Sequence, residues 1–511
     1  MSSSTRSSSG GGDEPRLCDE EKQPDGPTPP ELSDPEKGEG EYETVTRQDG
    51  GGHVGASCCG TAPILRQEEQ QPGPEALTRS TTLNRVLSAI STSADLNAGP
   101  PPNGGRKAWL MCICGHFIVM DTWGFINSFG VFQTYYASQL GRSPADVSWI
   151  GSLQIFLTFF GGTFAGRAVD AGFLVPVLAL GTALTALGIF TTSAATQYWQ
   201  LLLSQGLCMG LGSGCLFCAA ISTVASYFTT RRSFAIGIAA TGSATGGVIF
   251  PVLARELLPR AGFPWTVRAM GLVQLATLAF VVAAMRSRLP PRRADGKLVD
   301  WPAFADPAYT LFAAGMFFNF WGAYFGFYYL AAYARSTVAG VALGPGGAFS
   351  YEASLDLLLV ANAAGLPGRL VPALLADRWG PVTVLTPVCL SCGVILLAWA
   401  AVRSPAGLYV WAAAFGLTSG AIQGLFPAAM GGLTAADPVR QGTRIGMVFT
   451  IVSFAVLTGN PIAGALIAAE GGRYGAAQAF TGASLLVGTA LICAARWARM
   501  RRSGEGWKVK I

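Results

Sequence analysis

Twelve long apolar runs follow one another between Ala108 and Arg496, and this recurrence constrains the fold more than any other feature of the sequence. Each run has about 18 or more residues, enough for a helix to cross ~30 Å of hydrocarbon. Only 13% of the 511 residues are charged, whereas about a quarter are charged in a soluble domain. The sequence therefore predicts an all-α membrane protein with twelve transmembrane helices.

A polar segment divides these runs into two sets of six. The first set is predicted at 108–133, 149–168, 173–193, 198–228, 234–254 and 267–285, and the second at 308–333, 350–376, 381–402, 406–430, 442–467 and 476–498. The domains expected from this pattern are a six-helix bundle over 105–286, a cytosolic linker over 287–307, a second six-helix bundle over 308–498 and a basic cytosolic tail over 499–511.

The first 104 residues have a different composition from the rest of the chain. They are rich in Ser, Gly, Pro and Glu and contain few large apolar side chains. Such a segment buries too little apolar surface to offset the entropy lost on ordering. We therefore expect residues 1–104 to form a disordered cytosolic tail.

Arg and Lys collect in the loops that share a side with the N-terminus. Because cytoplasmic loops retain basic residues during insertion, both termini are predicted to be cytosolic. We expect a multi-pass protein of the plasma membrane that functions as a monomer. Its expected partners are the lipid bilayer and a small solute, and no nucleic acid.

The cysteines do not form a metal-binding pattern. Cys215 and Cys218, like Cys389 and Cys392, have C-x-x-C spacing, but each pair lies inside a predicted span without a histidine at zinc spacing. They are better explained as small packing residues. We expect no metal and no cofactor. Because no nucleophile and base stand together, an enzyme is not expected either.

The two sets of helices repeat one pattern. A glycine precedes an aspartate by nine positions at the end of helix 2, Gly161 and Asp170, and again at the end of helix 8, Gly368 and Asp377. This repetition predicts a duplicated six-helix unit. Two pseudo-symmetric bundles with a site between them form an architecture of secondary transporters.

Several motifs carry a resemblance to a known family. "GRLVPALLADRWG" after helix 8 and "GGTFAGRAVDAG" after helix 2 resemble the inner-loop signature of the major facilitator superfamily. "NGGRKAWL", "INSFGVFQTYY", "YFTTRRSFAIGIAATGSATGGVIFP" and "LTGNPIAGAL" resemble the fungal branch of the monocarboxylate-transporter-like family. The resemblance implies a major facilitator fold and alternating-access transport of a small organic metabolite, a monocarboxylate or related anion.

The resemblance also implies a gate at the cytosolic ends of the helices. Charged side chains there could hold the inner face shut, or they could only fix topology and cap helices. The candidate gating residues are Asp170, Arg231, Arg232, Asp377, Arg378 and Arg440. The glycines Gly242 and Gly246 of helix 5 are expected to permit close helix contact, either as static packing or as a sliding face.

Two charged residues lie at membrane depth, where polar groups are costly and usually functional. Arg369 in helix 8 could bind a carboxylate through its planar fork, or it could neutralise Asp121 of helix 1 as a buried pair. Asp121 is a candidate proton carrier because burial disfavours a charged carboxyl. Asn127 and Gly365 stand where proton-coupled animal members of the family have a lysine and an aspartate, which argues against proton-coupled lactate transport.

The remaining candidates are amides and rings in the same spans. A site of this composition suits a bulky, partly aromatic organic acid. The predicted substrate-binding residues are Arg369, Asn127, Asn319, Trp321, Tyr324, Asn362 and Gln423. An efflux carrier for a fungal secondary metabolite is the alternative function, and a non-transporting membrane sensor is a remote one.

Overall fold

The computed structural model describes residues 101–289, 299–338, 351–434 and 441–503, and within these ranges the chain is helical without a strand. The predicted tail over 1–104 lies almost entirely outside the described residues. The helices, in chain order, are α1 (105–140, built from Gly105–Val119, Met120–Gly124, Phe125–Asn127 and Phe129–Leu140), α2 (Pro144–Asp170), α3 (Leu174–Thr192), α4 (198–227, built from Tyr198–Leu201, Leu202–Met209 and Gly210–Tyr227), α5 and α6 (the two parts of Arg232–Ala284), α7 (307–333, built from Pro307–Ala323 and Phe325–Tyr333), α8 (Tyr351–Trp379), α9 (Pro381–Ala398), α10 (Pro405–Leu433), α11 (Gln441–Ala469) and α12 (Gly475–Ser503).

These helices account for the twelve predicted spans. Ten helices in the described part are long and apolar enough to cross a membrane. The longest, Arg232–Ala284, has 53 residues and breaks at Gly262, whose φ of 74° is left-handed, so it supplies two spans. The seventh span is interrupted at Tyr324, which leaves two segments too short to count separately. The prediction of an all-helical protein with twelve spans is confirmed.

Three π-helical segments occur in the described residues: Met120–Gly124 in α1, Leu202–Met209 in α4 and Ala334–Val338 directly after α7. A π-helical turn adds a residue to the turn and re-aims the side chains around it, and such turns are frequent at functional sites. In the segment of α1, Asp121 binds Thr277 of α6, and Trp123 stacks on Tyr324 of α7.

Glycines bring equivalent helices together in the two halves. In the first half, Gly210 of α4 lies against the backbone of Gln154 in α2. In the second, Gly420 of α10 lies against the backbone of Gly365 in α8. A Cβ at either glycine would be about 3 Å from that backbone, so only glycine permits the approach. The same packing in both halves agrees with the predicted duplication.

The two halves meet through symmetry-related helix pairs. Extensive contacts join α2 with α11 and α5 with α8, and the second halves of α1 and α7 meet each other. Thr163 of α2 donates a hydrogen bond to the carbonyl of Gly446 in α11 at 2.9 Å. We call the face where α1 begins the inner face, following the predicted orientation, and the opposite one the outer face.

The glycines of α5 face two different neighbours. Gly242 and Gly246 lie against His116 and Met120 of α1, which belongs to the same half. Gly237 instead lies against the Arg369 carbonyl of α8 in the other half. Gly242 and Gly246 are therefore packing residues inside the first bundle, because their nearest neighbours belong to α1 of the same half. For these two glycines the contacts favour static packing within one half over a face that slides between the halves.

Candidate functional site

An aromatic cavity lies between the two halves, close to the midpoint of the helices. Trp123 of α1 and Tyr324 of α7 stack across it with ring centroids 6.0 Å apart and planes inclined by 14°. The cavity is nearly closed in this conformation, with a volume of about 20 Å³. The two halves must therefore separate before a ligand that needs ~300 Å³ or more can enter. The other ring-bearing residues of the cavity are Phe159, Phe217, Phe320 and Phe426.

One edge of this cavity is polar and crosses the boundary between the halves. Gln423 of α10 lines the cavity, and its Oε1 accepts a hydrogen bond from Nη2 of Arg369 at 2.9 Å. The same oxygen accepts a longer bond, 3.4 Å, from Nδ2 of Asn127 in α1. Three of the predicted binding residues thus form one chain, and Gln423 separates the guanidinium from the cavity.

Glycines make room for Arg369 in the interior. A Cβ at Gly420 would lie 2.7 Å from Nη1, and Gly365 and Gly424 also border the side chain. Nη1 donates to the carbonyl of Gly365 at 2.9 Å, while Nε has no hydrogen-bond partner among the described residues. Within the described part of the chain no carboxylate forms an ion pair with this buried guanidinium. An anion that reaches Arg369 would neutralise the charge of the guanidinium and could accept a hydrogen bond from Nε.

Asp121 lies on another side of α1. Its Oδ2 accepts a hydrogen bond from Thr277 of α6 at 2.7 Å, and its backbone carbonyl accepts one from Gln274 at 2.9 Å. Oδ1 is buried and has no partner in the described ranges. The alternative in which Asp121 and Arg369 neutralise each other is therefore wrong in this conformation, because the two side chains bind different helices.

The other predicted binding residues are divided between the site and the packing of the second half. Tyr324 lines the cavity, and Asn362 of α8 contacts Gly247 of α5 across the boundary between the halves. Asn319 donates to the carbonyl of Gly315 at 2.9 Å, one turn earlier in α7. Trp321 donates to Thr458 of α11 at 3.0 Å. Asn319 and Trp321 thus lie outside the cavity wall.

The sequence reasoning missed most of the aromatic lining. The criterion was a polar group at membrane depth, and Trp123, Phe159 and Phe426 were therefore not predicted as site residues. A helical-spacing argument would have found two of them. Trp123 precedes Asn127 by four residues and Phe426 follows Gln423 by three, so each shares a helix face with a predicted residue.

At the inner face, Asp377 joins the two halves. Its carboxylate, at the end of α8, accepts hydrogen bonds from the backbone N–H groups of Ser233 at 2.8 Å and Phe234 at 3.0 Å. These are orphan donors in the first turn of α5, which has no side-chain cap of its own. We call this contact the inner cap. Of the roles expected for these charged residues, Asp377 here caps a helix, and that helix belongs to the other half.

The other predicted gating residues surround this contact unevenly. Arg232 lies against Gly431 of α10, and Asp170 lies beside Gly442 in the first turn of α11. Arg231 and Arg378 are exposed. Arg440 lies outside the described residues. Asp170 and Asp377 thus occupy equivalent places, each at the start of a helix in the opposite half.

The outer face is closed by different contacts. Arg255 of α5 and Asp356 of α8 form an ion pair at 2.7 Å, which we call the outer lock. The rings of Phe129 in α1 and Tyr328 in α7 are 4.7 Å apart. Gly130 lies directly against the carbonyl of Phe327. The aromatic run of α7 therefore serves two places, with its first part at the cavity and its second part at this closure.

Comparisons with known proteins agree with this architecture. Residues 111–438 match the family model of the Major Facilitator Superfamily. An MFS-type transporter of Gibberella zeae is 52% identical over 413 residues, covering 80% of this chain and 92% of that protein. An aspyridones efflux protein of Emericella nidulans is 34% identical over 412 residues, covering 80% and 82%.

A solved structure shares the fold at low sequence identity. The major facilitator superfamily transporter FucP, in the outward conformation, superposes with a TM-score of 0.56 at 17% identity, covering 76% of this chain and 99% of that one. The family model covers well over half of the chain. The helices of the chain pair as two repeated halves around a central cavity. The chain therefore belongs to the major facilitator superfamily of membrane transporters.

Proposed function

We propose that this transporter exports a fungal secondary metabolite that carries an aromatic or conjugated ring and an acidic group. The observation that carries the proposal is the combination of an aromatic cavity with the buried guanidinium of Arg369, which lies behind Gln423 and has no ion-pair partner among the described residues. The name of the aspyridones efflux protein supports export, since that relative is 34% identical over most of both chains. A two- or three-carbon acid would leave most of the aromatic wall without a contact.

Recognition combines two interactions. A flat ring stacks on Trp123 or Tyr324, because aromatic pairs are favoured at centroid distances of about 4.5–7 Å. The acidic group takes the place of the Gln423 oxygen at Nη2 of Arg369 and accepts a second hydrogen bond from Nε. The substrate thereby gains a charged contact in a site closed to water, where such contacts are strongest.

Alternating access requires the two faces to open in turn. Opening the inner face breaks the inner cap between Asp377 and α5, and opening the outer face breaks the outer lock between Arg255 and Asp356. Both contacts join α5 of one half to α8 of the other, at opposite ends of these helices. A rocking motion of the halves that breaks one contact therefore allows the other to form. In this proposal Asp377 acts as a gating residue by capping the start of α5.

Proton coupling is assigned to Asp121. Its carboxyl joins α1 to α6 through Thr277, away from the aromatic cavity. Protonation would give the unpartnered Oδ1 a hydrogen to donate and would alter the contact between these two helices. The chain works in this proposal as a monomer in the plasma membrane, with both termini in the cytosol.

Metabolite profiling tests the proposed function. Strains that lack or overproduce the protein are grown alike, and medium and cell contents are compared. An acidic, conjugated compound should remain inside the deletion strain and be enriched in the medium of the overproducer. The purified full-length protein in proteoliposomes should then transport that compound. Transport of a simple monocarboxylate alone would instead favour monocarboxylate carriage, and the absence of flux for every compound would favour a sensor.

A further inference from the structure

The segment that leads into α1 is attached to the turn between α4 and α5. Oδ1 of Asn103 accepts hydrogen bonds from the backbone N–H of Thr229 at 2.7 Å and of Thr230 at 3.1 Å, and from the Thr229 hydroxyl at 3.0 Å. The backbone N–H of Asn103 donates to the carbonyl of Tyr227, the last residue of α4, at 3.2 Å. One asparagine thus binds both sides of this turn.

Asn103 adopts an unusual backbone conformation to make these contacts. Its φ is 51°, and it is the one non-glycine residue in the described ranges with a positive φ. Asparagine tolerates this region better than most residues, and such conformations cluster where function requires them. The side chain and the backbone of this residue therefore both serve the attachment.

The turn held by Asn103 leads directly into the inner cap. Thr230 precedes Arg231 and Arg232, where α5 begins, and the next two N–H groups, those of Ser233 and Phe234, bind Asp377 of the opposite half. Two N–H groups can reach one carboxylate only if the first turn of α5 holds its position. Asn103 fixes the chain three residues before that turn.

In the second half, a residue ahead of the first helix also contacts the start of that half's fifth helix, with different chemistry. Asp300 lies before α7, separated from it by the 3₁₀ helix Trp301–Ala305, whereas Asn103 lies just before α1. Oδ2 of Asp300 accepts a hydrogen bond from Nε of Arg444 in the first turn of α11 at 2.9 Å. Its backbone N–H contacts the sulfur of Met447 at 3.3 Å. The hydroxyl of Tyr309 in α7 donates to the carbonyl of Arg444 at 2.7 Å. The start of α11 is the place where Asp170 of the first half lies beside Gly442.

We propose that Asn103 and Asp300 are positioning residues that hold the starts of α5 and α11 for Asp377 and Asp170 of the opposite halves. The lead-in segment of each half thereby stabilises the conformation closed at the inner face. Loss of either contact shifts the transporter toward opening there. The inference rests on the gating role given above to Asp377 and Asp170, and it is independent of the substrate.

Hydrogen exchange of the purified full-length protein in nanodiscs, without substrate, tests the inference. Asn103→Gly removes the acceptor and suits the positive φ, whereas Asn103→Asp keeps an acceptor oxygen at the same place. We expect Asn103→Gly to speed exchange in a peptide spanning residues 232–236 by about tenfold, the effect of losing one useful hydrogen bond. Asn103→Asp should exchange like the wild type. Asp377→Ala should speed exchange in the same peptide, and adding Asn103→Gly to it should give no further increase.

The matched variant in the second half is Asp300→Ala, read at a peptide spanning residues 442–447. Each variant should act most strongly on the helix start of its own half, and more weakly on the other start as the inner face opens. Unchanged exchange in Asn103→Gly, a fully additive double variant, or faster exchange throughout α12 in either single variant would each overturn the inference. If these peptides respond as expected while no metabolite is exported, the positioning role stands and the proposed export function fails.

Discussion

At the residue scale, the site consists of a few polar groups placed in an apolar and aromatic setting. Arg369 has the lining residue Gln423 as a side-chain partner, and three glycines shape the space around its guanidinium. Asp121 is equally buried but binds α6. From the sequence, these two charges could form a pair. In the structure they bind different helices, so variants of Arg369 and of Asp121 should have independent effects.

Arg369→Lys should weaken substrate binding about 10- to 100-fold, because an ammonium keeps the charge but cannot offer the two-pronged contact of a guanidinium. Binding of the exported compound is measured on purified protein. Arg378→Lys is the matched control, since that arginine lies in the same helix and is exposed. Equal affinities in both variants would remove Arg369 from the site.

Asp121→Asn should leave substrate exchange intact and abolish accumulation against a proton gradient, because an amide cannot titrate. Counterflow and pH-driven uptake into proteoliposomes measure the two properties. Thr277→Val removes the partner but keeps the carboxyl, so it should alter the pH dependence without abolishing accumulation. Because Asp121 and Arg369 do not touch, Asp121→Asn with Arg369→Gln should bind no better than Arg369→Gln alone. Restored flux in the double variant would revive the paired-charge interpretation.

At the element scale, α5 determines how the two halves meet. One side of this helix packs on α1 of its own half, and another meets α8 of the opposite half. Its inner end is capped by Asp377, and its outer part carries Arg255 of the outer lock. The glycine motif of α5 therefore has two roles that its spacing alone does not separate.

Gly242→Leu and Gly237→Leu should fail in different ways. A side chain at Gly242 would enter the backbone of α1 and overpack the first bundle, at a cost of about 1–3 kcal/mol or more, which should lower expression and thermal stability. A side chain at Gly237 would meet Ala373 and the Arg369 carbonyl across the boundary. That protein should fold but no longer close at the inner face. Thermal melting and hydrogen exchange at the start of α5 separate the two, and identical behaviour would contradict this division.

Breaking the outer lock should shift the transporter toward opening at the outer face. Arg255→Ala and Asp356→Ala should each make outer-face residues more accessible, because the ion pair joins α5 to α8 only while that face is closed. The reversed pair, Arg255→Asp with Asp356→Arg, should restore closure. Spin-label distances between the outer ends of α5 and α8 report the change. Failure of the reversed pair to restore them would count against a lock based on charge.

At the scale of the whole molecule, the duplicated halves give the transporter its pattern of contacts. The packing of α4 on α2 recurs as α10 on α8, and α2 with α11 matches α5 with α8. A residue ahead of the first helix binds near the start of the fifth helix in each half, although Asn103 and Asp300 differ in charge and in partner. The two halves therefore share equivalent positions in the fold, but the side chains at those positions often differ.

The even number of spans predicts that both termini are on the same side of the membrane, and the distribution of Arg and Lys predicts that this side is the cytosol. Tags at each end of the full-length protein should resist protease in sealed, right-side-out vesicles and be cut after permeabilisation. A tag in the loop between α1 and α2 serves as the control and should be cut before permeabilisation. Opposite accessibility of the two ends would contradict the topology.

The sequence by itself determined the helices, their number and their repetition. Apolar runs of sufficient length must be helical in a bilayer, since every backbone polar group needs an internal partner there. The sequence also indicated Arg369 and Asp121, because buried charges are costly and few. Repeated Gly and Asp positions indicated the duplication, and these signals depend only on local composition and spacing.

The tertiary structure alone decided which of these residues act together. Whether Arg369 meets Asp121 or Gln423, and whether Gly242 faces α1 or α8, depends on how each helix is rotated against its neighbours. In a span that is apolar on every side, no amphipathic pattern fixes that rotation, and the π-helical turn in α1 changes it further. The cavity, the inner cap and the outer lock therefore follow from packing between helices distant in sequence.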